Sequence, residues 1–180
     1  MRKYLKQQKA AYVKFLEGAG YRVHDASITG HQTHMLSANI GSVRAILSDA
    51  AFVEALGLNL LGAGKGWCET ELQCQQRYEQ QDGYVHAGVQ ATVADHTAGA
   101  AAITVLDDNR RVLTAEFKIN FLRPALVTRL LCRAEVLKAG SSLVVVESCV
   151  FNEVERESKL VAKALVTLAI RVGKGNREDI

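Results

Sequence analysis

The last third of the chain alternates. From 112 to 122, Leu113, Ala115, Phe117, Ile119 and Phe121 fall on one side and Thr114, Glu116, Lys118 and Asn120 on the other, the period of two that a half-buried strand requires. Strand-like runs at 129–138, 142–154 and 159–172 follow, and in the last Leu160, Ala162, Ala164, Val166, Leu168 and Ile170 define the inward face. Gly140-Ser141 supplies the hairpin turn between 129–138 and 142–154. The single proline, Pro124, stands where the 112–122 run ends, and there it costs no ladder bond. Upstream, the small apolar residues of 87–105 predict a long helix, and 66–77 reads as a first strand. Val43, Ile46, Leu47 and Ala50, then Phe52, Val53 and Leu56, have the spacing of one or two short helices, with Ser48-Asp49 as a cap between them and Gly57 as the stop. Gly62, Gly64 and Gly66 read as turn punctuation; no Gly-Lys-Ser/Thr follows to make a phosphate loop.

The order is thus helix, strand, long helix, then four strands in a row. Strands joined by short turns are antiparallel, and a sheet with one apolar face needs a cover. The 87–105 helix is apolar enough to be that cover, which makes the class α+β, an antiparallel sheet covered by a long helix, and not a doubly wound fold.

Composition narrows the function. A chain of 180 residues fits one ordinary domain, and a formal charge of +3 with no basic stripe argues against nucleic acid. No apolar run reaches the ~18 residues of a membrane span, and the apolar core of a secretory signal is missing. Cys68, Cys74, Cys132 and Cys149 form no Cys-x-x-Cys pair, so they read as small buried hydrophobes of a reducing cytoplasm rather than zinc ligands or disulfides. Residues 1–40 are set apart as an N-terminal extension, 41–172 as the domain, and 173–180 as a polar tail. In the extension Arg2, Lys3, Lys6, Lys9 and Lys14 outnumber Glu17, and Leu5, Tyr12, Phe15 and Leu16 share a helical face. A solvated extension, a partner contact, translated sequence ahead of a start at Met35 and a transit peptide are the competing readings. His24, His31 and His34 lack nearby acids and make a weak case for metal.

One residue breaks the apolar run GYVHAGVQATVADHTAGAAA at 83–102: Asp95. A buried carboxylate finds a partner, shifts its pKa, or is there for chemistry. This run, followed by LTAEFKINFLRPA, resembles the hotdog-fold acyl-CoA thioesterases, the phenylacetate-pathway (PaaI-like) branch of the 4-hydroxybenzoyl-CoA thioesterase superfamily. Their pattern is roughly Asn-x-x-Gly-x-x-His-Gly-Gly, an acid nine residues after the His, then a strand ending in Arg-Pro or Ser-Pro. Gly83, His86, Gly88, Asp95 and Pro124 fall in register over about residues 43–172. Two positions depart: Ala87 replaces the first Gly of the pair, and Gln80 the Asn. Alanine keeps its backbone N–H, and Gln80 keeps an amide on a longer arm.

The resemblance implies the hotdog fold, an antiparallel sheet wrapped around a long central helix, and hydrolysis of an acyl-CoA thioester at a dimer interface, without metal or cofactor. Such chemistry needs donors for an oxyanion and a base or nucleophile at the same carbonyl. The Ala87 N–H, joined by that of Gly88, lies at the positive end of the helix, and Asp95 is the natural base or nucleophile. Eight residues of helix separate them by about 12 Å, too far to serve one carbonyl. Two antiparallel copies would bring one chain's Ala87 to the other's Asp95, crossing at Ala91, with Ala91, Ala94 and Ala98 as the small-residue contact. A homodimer, and a dimer of such dimers, is the expected assembly.

Around this pair the resemblance sets Thr114 where relatives hold the attacking water. It makes His86 chiefly a turn-shaping residue. Gln80 is a candidate to orient the carbonyl or water, and His96 lines the cleft or is structural. Arg123, Lys138 and the Gly140-Ser141 turn are candidates for the phosphates of coenzyme A, as cations or amide donors. Two rivals share the fold. A hotdog hydratase is weakened because Asp82 and His86 have the wrong spacing, and a non-catalytic acyl-CoA sensor because Asp95 is present.

Overall fold

The structure, a computed structural model, describes residues 40–155 and 157–172. The readings made for residues 1–39 and for the tail 173–180 lie outside the described residues. Two short helices, α1 (Ile40–Ser48) and α2 (Ala51–Leu56), precede strands β1 (Leu58–Gly64) and β2 (Trp67–Gln73). A single turn of 3-10 helix at Gln76–Tyr78 leads to α3 (Ala87–Ile103), and then come β3 (Arg110–Phe121), β4 (Arg129–Ala139), β5 (Leu143–Val154) and β6 (Glu157–Val172). The six strands form one sheet in the order β1-β2-β4-β5-β6-β3, every pair antiparallel. The α+β class and the helix-covered antiparallel sheet are therefore as the alternation predicts.

Three local expectations change. Ser48-Asp49 does not cap α2: its N-cap is Ala50, with no side-chain bond, and Ser48 Oγ turns to Asp49 Oδ1 instead. Gly57 does end α2, in the left-handed region at φ 79°. Gly62 and Gly64 are not turn residues but part of β1, a strand whose LNLLGAG shows no clean alternation. Their missing side chains admit the Trp67 indole; a Cβ on Gly64 would lie 2.6 Å from its Nε1. Glycine here serves close approach rather than a turn.

The third change concerns β3. Its pairing with β6 slips between Thr114 and Glu116, so Ala115 is the extra residue of a β-bulge. Directly paired residues share a face. Val112, Thr114, Phe117, Ile119 and Phe121 stand opposite Ile170, Leu168, Val166, Ala164 and Ala162, the inward residues of β6. Phe117, Ile119 and Phe121 face inward as expected, but Leu113 points out and is exposed, while Thr114 joins the inner face.

The inner face has a trough. Cys68, Ala134, Ser148 and Ala164 pair in one row across four strands, all buried and all small. Into this trough α3 lays Ala94, Ala98 and Ala101, each fully buried. Alanine favours the helix and lets it approach the sheet closely. This corrects the small-residue stripe: Ala94 and Ala98 face the chain's own sheet, leaving Gly88, Ala91 and Asp95 on the more open side. On the outer face Arg129 joins Glu71 and Glu153, and Arg133 joins Glu69 and Glu135 while stacking on Trp67.

Candidate active site

The start of α3 is fixed from the turn before it. The Val85 N–H donates to Ala125 O, the His86 N–H to Tyr78 O, and Tyr84 bridges to Leu126. Asn152, buried in β5, holds that second loop by accepting from the Leu126 N–H and donating to the Leu126 carbonyl. Gln80 Oε1 accepts from the Asp82 N–H at 2.8 Å, so its amide oxygen shapes the Gln80–Gly83 turn. His86 is the N-cap: its Nδ1 accepts from the Gly88 N–H at 2.9 Å. Nδ1 is then unprotonated and the Gly88 donor is committed, which removes it from the expected oxyanion pair. Among the described residues nothing accepts from the Ala87 N–H, and Ala87 is exposed.

Two turns along α3, the carboxylate of Asp95 is half-buried. Thr114 Oγ1 donates to Asp95 Oδ1 at 2.8 Å, a bond that exists because the bulge at Ala115 turns Thr114 inward. Beyond Thr114 on the same face, Phe117 and Phe121 remain 39% and 46% exposed, an apolar row that runs along β3 away from the carboxylate. A half-buried carboxylate anchored by a hydrogen bond, on a face that also carries an apolar row, can meet an apolar ligand there. Within one chain, Ala87 and Asp95 lie on one helix about 12 Å apart along its axis.

The other expected residues are spread. Arg123 follows β3, and its guanidinium donates to Leu160 O at 2.8 Å. Lys138 and the β4–β5 hairpin lie at the opposite end of β3, where Arg110 Nη1 reaches Ser141 O. The Gly140 N–H donates to Leu143 O inside the hairpin and is not a free amide. One chain therefore does not bring Arg123 and Lys138 to one phosphate. His96 is structural: its Nε2 donates to Ile46 O and ties α1 to α3. None of the four cysteines is in a disulfide, and burial pushes Cys68 up to about 12 and Cys74 to about 11, so neither is a poised nucleophile.

Sequence reasoning missed the buried hydroxyls beneath the site. Ser148 Oγ donates to Ala94 O, and Thr97, itself bonded to Val93 O, shares a 2.6 Å contact with Thr70 Oγ1. A polar residue at an inward position of an apolar strand is the signal that would have found Ser148.

The family model for the thioesterase superfamily matches residues 82–159, which span the α3 N-terminus, Asp95 and Thr114. The structure of a thioesterase family protein from Silicibacter pomeroyi is 33% identical, with a TM-score of 0.71, covering 73% of this chain and 96% of that one. A 1,4-dihydroxy-2-naphthoyl-CoA hydrolase of Listeria monocytogenes is 26% identical over 66% of this chain and 94% of its own length. The PaaI protein of the E. coli phenylacetic acid degradation operon shares the fold at 19% identity and a TM-score of 0.68, over 74% of this chain and 94% of that one. No helix among the described residues is long and apolar enough to cross a membrane. With the motif, the wrapped helix and these likenesses in agreement, the chain belongs to the thioesterase superfamily of hotdog-fold thioester hydrolases.

Proposed function

We propose that this protein hydrolyses an aromatic or medium-chain acyl-CoA to the free acid and coenzyme A, with Asp95 as base or nucleophile and the Ala87 N–H of a second copy as oxyanion donor. The observation that carries the reading is Asp95 anchored by Thr114 on the inner face, on the same helix as an uncommitted first-turn donor. As base, Asp95 takes a proton from water while the oxygen bonds to the thioester carbonyl carbon. The oxyanion rests on the Ala87 N–H, then collapses, breaks the C–S bond and expels the coenzyme A thiolate, which takes up the proton. As nucleophile, Asp95 attacks the carbon itself, the C–S bond breaks and the coenzyme A thiolate leaves an acyl-aspartyl anhydride; water then cleaves it to the free acid and the Asp95 carboxylate, its released proton balancing the thiolate.

A homodimer follows from the separation of the two groups. Supporting it, β3 is a 12-residue edge strand carrying half-exposed Phe117 and Phe121, an edge that a second antiparallel copy would cover. Gly88, Ala91 and Asp95 line the open side of α3 where the two helices would meet. Leu113, Leu143 and Leu165, exposed on the outer sheet face, are where two such dimers would pack. The exposed Phe117 and Phe121 favour a flat or extended apolar acyl group, and four cysteines that form no disulfide fit a cytoplasmic setting. Release of free coenzyme A from a panel of aromatic and straight-chain esters, wild type beside Asp95→Asn, tests the reading. A loss of about 10²-fold or more in the variant is expected; full turnover by Asp95→Asn would end the proposed mechanism.

A further inference from the structure

Three buried hydroxyls, one on α3 and two on the sheet, tie the helix down on either side of Asp95. Ser148 Oγ donates to the carbonyl of Ala94, the residue before it, at 2.9 Å. Thr97, two residues after, pairs its hydroxyl with that of Thr70 on β2 at 2.6 Å. Ser148, Thr70 and Thr97 are all 0% exposed. Ser148 lies between Ala134 and Ala164 in the row of small residues under the helix, so its short arm suffices to reach the backbone. The Ala94 carbonyl is already an intrahelical acceptor, so the serine bond is a second one; helix formation alone does not need it.

We propose that Ser148, Thr70 and Thr97 are positioning residues, which fix the rotation and axial setting of α3 so that the Asp95 carboxylate meets Thr114 and the substrate. The inference rests on the catalytic reading of Asp95. Apart from Val93 and Ile103, the apolar side chains that α3 buries are alanines, and methyl groups along a smooth stripe resist turning only weakly. Hydrogen bonds are directional and break under the same turn. A rotation of about 20° would carry a carboxylate about 5 Å from the axis by about 2 Å. Misplacement by about 1 Å can cost about 10²-fold in rate. The ties are to β2 and β5, whereas Thr114 is on β3, so the sheet supplies the frame in which donor and carboxylate are brought together.

The test uses the full chain with Thr97→Val, Thr97→Ser, Ser148→Ala and Asp95→Asn, with Val53→Ala in α2 as a core-packing control. Thr97→Val keeps the shape and removes the hydroxyl; Thr97→Ser keeps the hydroxyl and removes a methyl. For acyl-CoA hydrolysis, Thr97→Val and Ser148→Ala should lose about 10-fold or more in kcat with KM within about twofold, and Thr97→Ser should stay within about threefold of wild type. Val53→Ala should lose thermal stability and keep kcat. Wild-type kcat in Thr97→Val, or an equal loss in Thr97→Ser, would overturn the proposal, because the hydroxyl would then not matter. Should Ser148→Ala fail to fold, the two Thr97 variants decide alone. Wild-type turnover by Asp95→Asn would sink the catalytic reading itself, and with it any carboxylate to position; loss in Asp95→Asn alone would sink only the positioning role.

Discussion

Thr114 and Asp95 are joined by a 2.8 Å hydrogen bond between the edge strand β3 and the central helix α3, the hydroxyl donating and the carboxylate accepting. A hydrogen bond to a charged group is worth about 1.5–3 kcal/mol, so its loss from a reacting carboxylate is expected to be felt in rate. Thr114→Val, which keeps the shape and removes the donor, should lower kcat by roughly 10-fold or more, and Thr114→Ser should restore most of it. Steady-state hydrolysis of the best acyl-CoA ester measures both. Equal turnover by the valine variant would assign the hydroxyl no part in the reaction.

That bond also marks what was legible in the sequence. Alternation located β3 to β6 and the small-residue run located α3, because a period of two and a long apolar segment survive in the bare order of residues. The face of Thr114 did not survive, since one extra residue, Ala115, reverses the side on which every earlier residue of β3 points. Gly62 and Gly64 misled for a related reason: turn glycine and packing glycine look alike until Trp67 is seen above them. The motif singles out Asp95 and Ala87 as candidates, whereas Ala94 and Ala98, expected between two helices, pack against the chain's own sheet. A helix's spacing tells which residues share a face, but not which of two partners that face meets. Ser148 leaves a trace as a polar residue on the inward side of an apolar strand, but what it, Thr70 and Thr97 bond to emerges only from contacts between residues far apart in the chain.

His86 offers a separate prediction. Its Nδ1 holds the Gly88 N–H, an N-cap interaction whose removal typically costs about 1 kcal/mol. His86→Ala should therefore lower Tm by roughly 2–4 °C, and His86→Asn, which also caps well, should recover most of the loss. Calorimetry reads the stability, and coenzyme A release reads the rate. A cap-restoring asparagine that nonetheless abolished hydrolysis would recast His86 as a proton-transfer group.

The buried thiols predict an alkaline weakness. Below pH 9, the ordinary thiol value, Cys68 and Cys74 are neutral whether the chain is folded or not. Above it the unfolded thiols ionise, while burial keeps the folded ones protonated to about 12 and 11. The unfolded state then binds fewer protons, so the stability present below pH 9 falls as pH rises toward those values. Urea midpoints at pH 8 and pH 10.5 should show the decline, and Cys68→Ala should make it shallower. An unchanged slope in that variant would trace alkaline unfolding to other groups.

The cross-subunit site makes the sharpest demand. Ala87 is the first residue of α3, where proline is well accepted, and His86 before it has the extended backbone, ψ 140°, that proline prefers. Ala87→Pro thus deletes the oxyanion donor while preserving the helix, and Asp95→Asn deletes the carboxylate; each homodimer should be inactive. In a mixed dimer, one site combines the intact Ala87 of one chain with the intact Asp95 of the other. Random exchange of equal amounts makes half the dimers mixed, each with one good site of two, so about a quarter of wild-type activity should return. Unfolding and refolding the two variants together, then assaying against each refolded alone, measures this. Recovery near a quarter requires donor and base to come from different chains. No recovery, with mixed dimers shown to have formed, would mean that Ala87 and Asp95 do not act together across an interface, and the oxyanion donor would have to be sought elsewhere on the inner face.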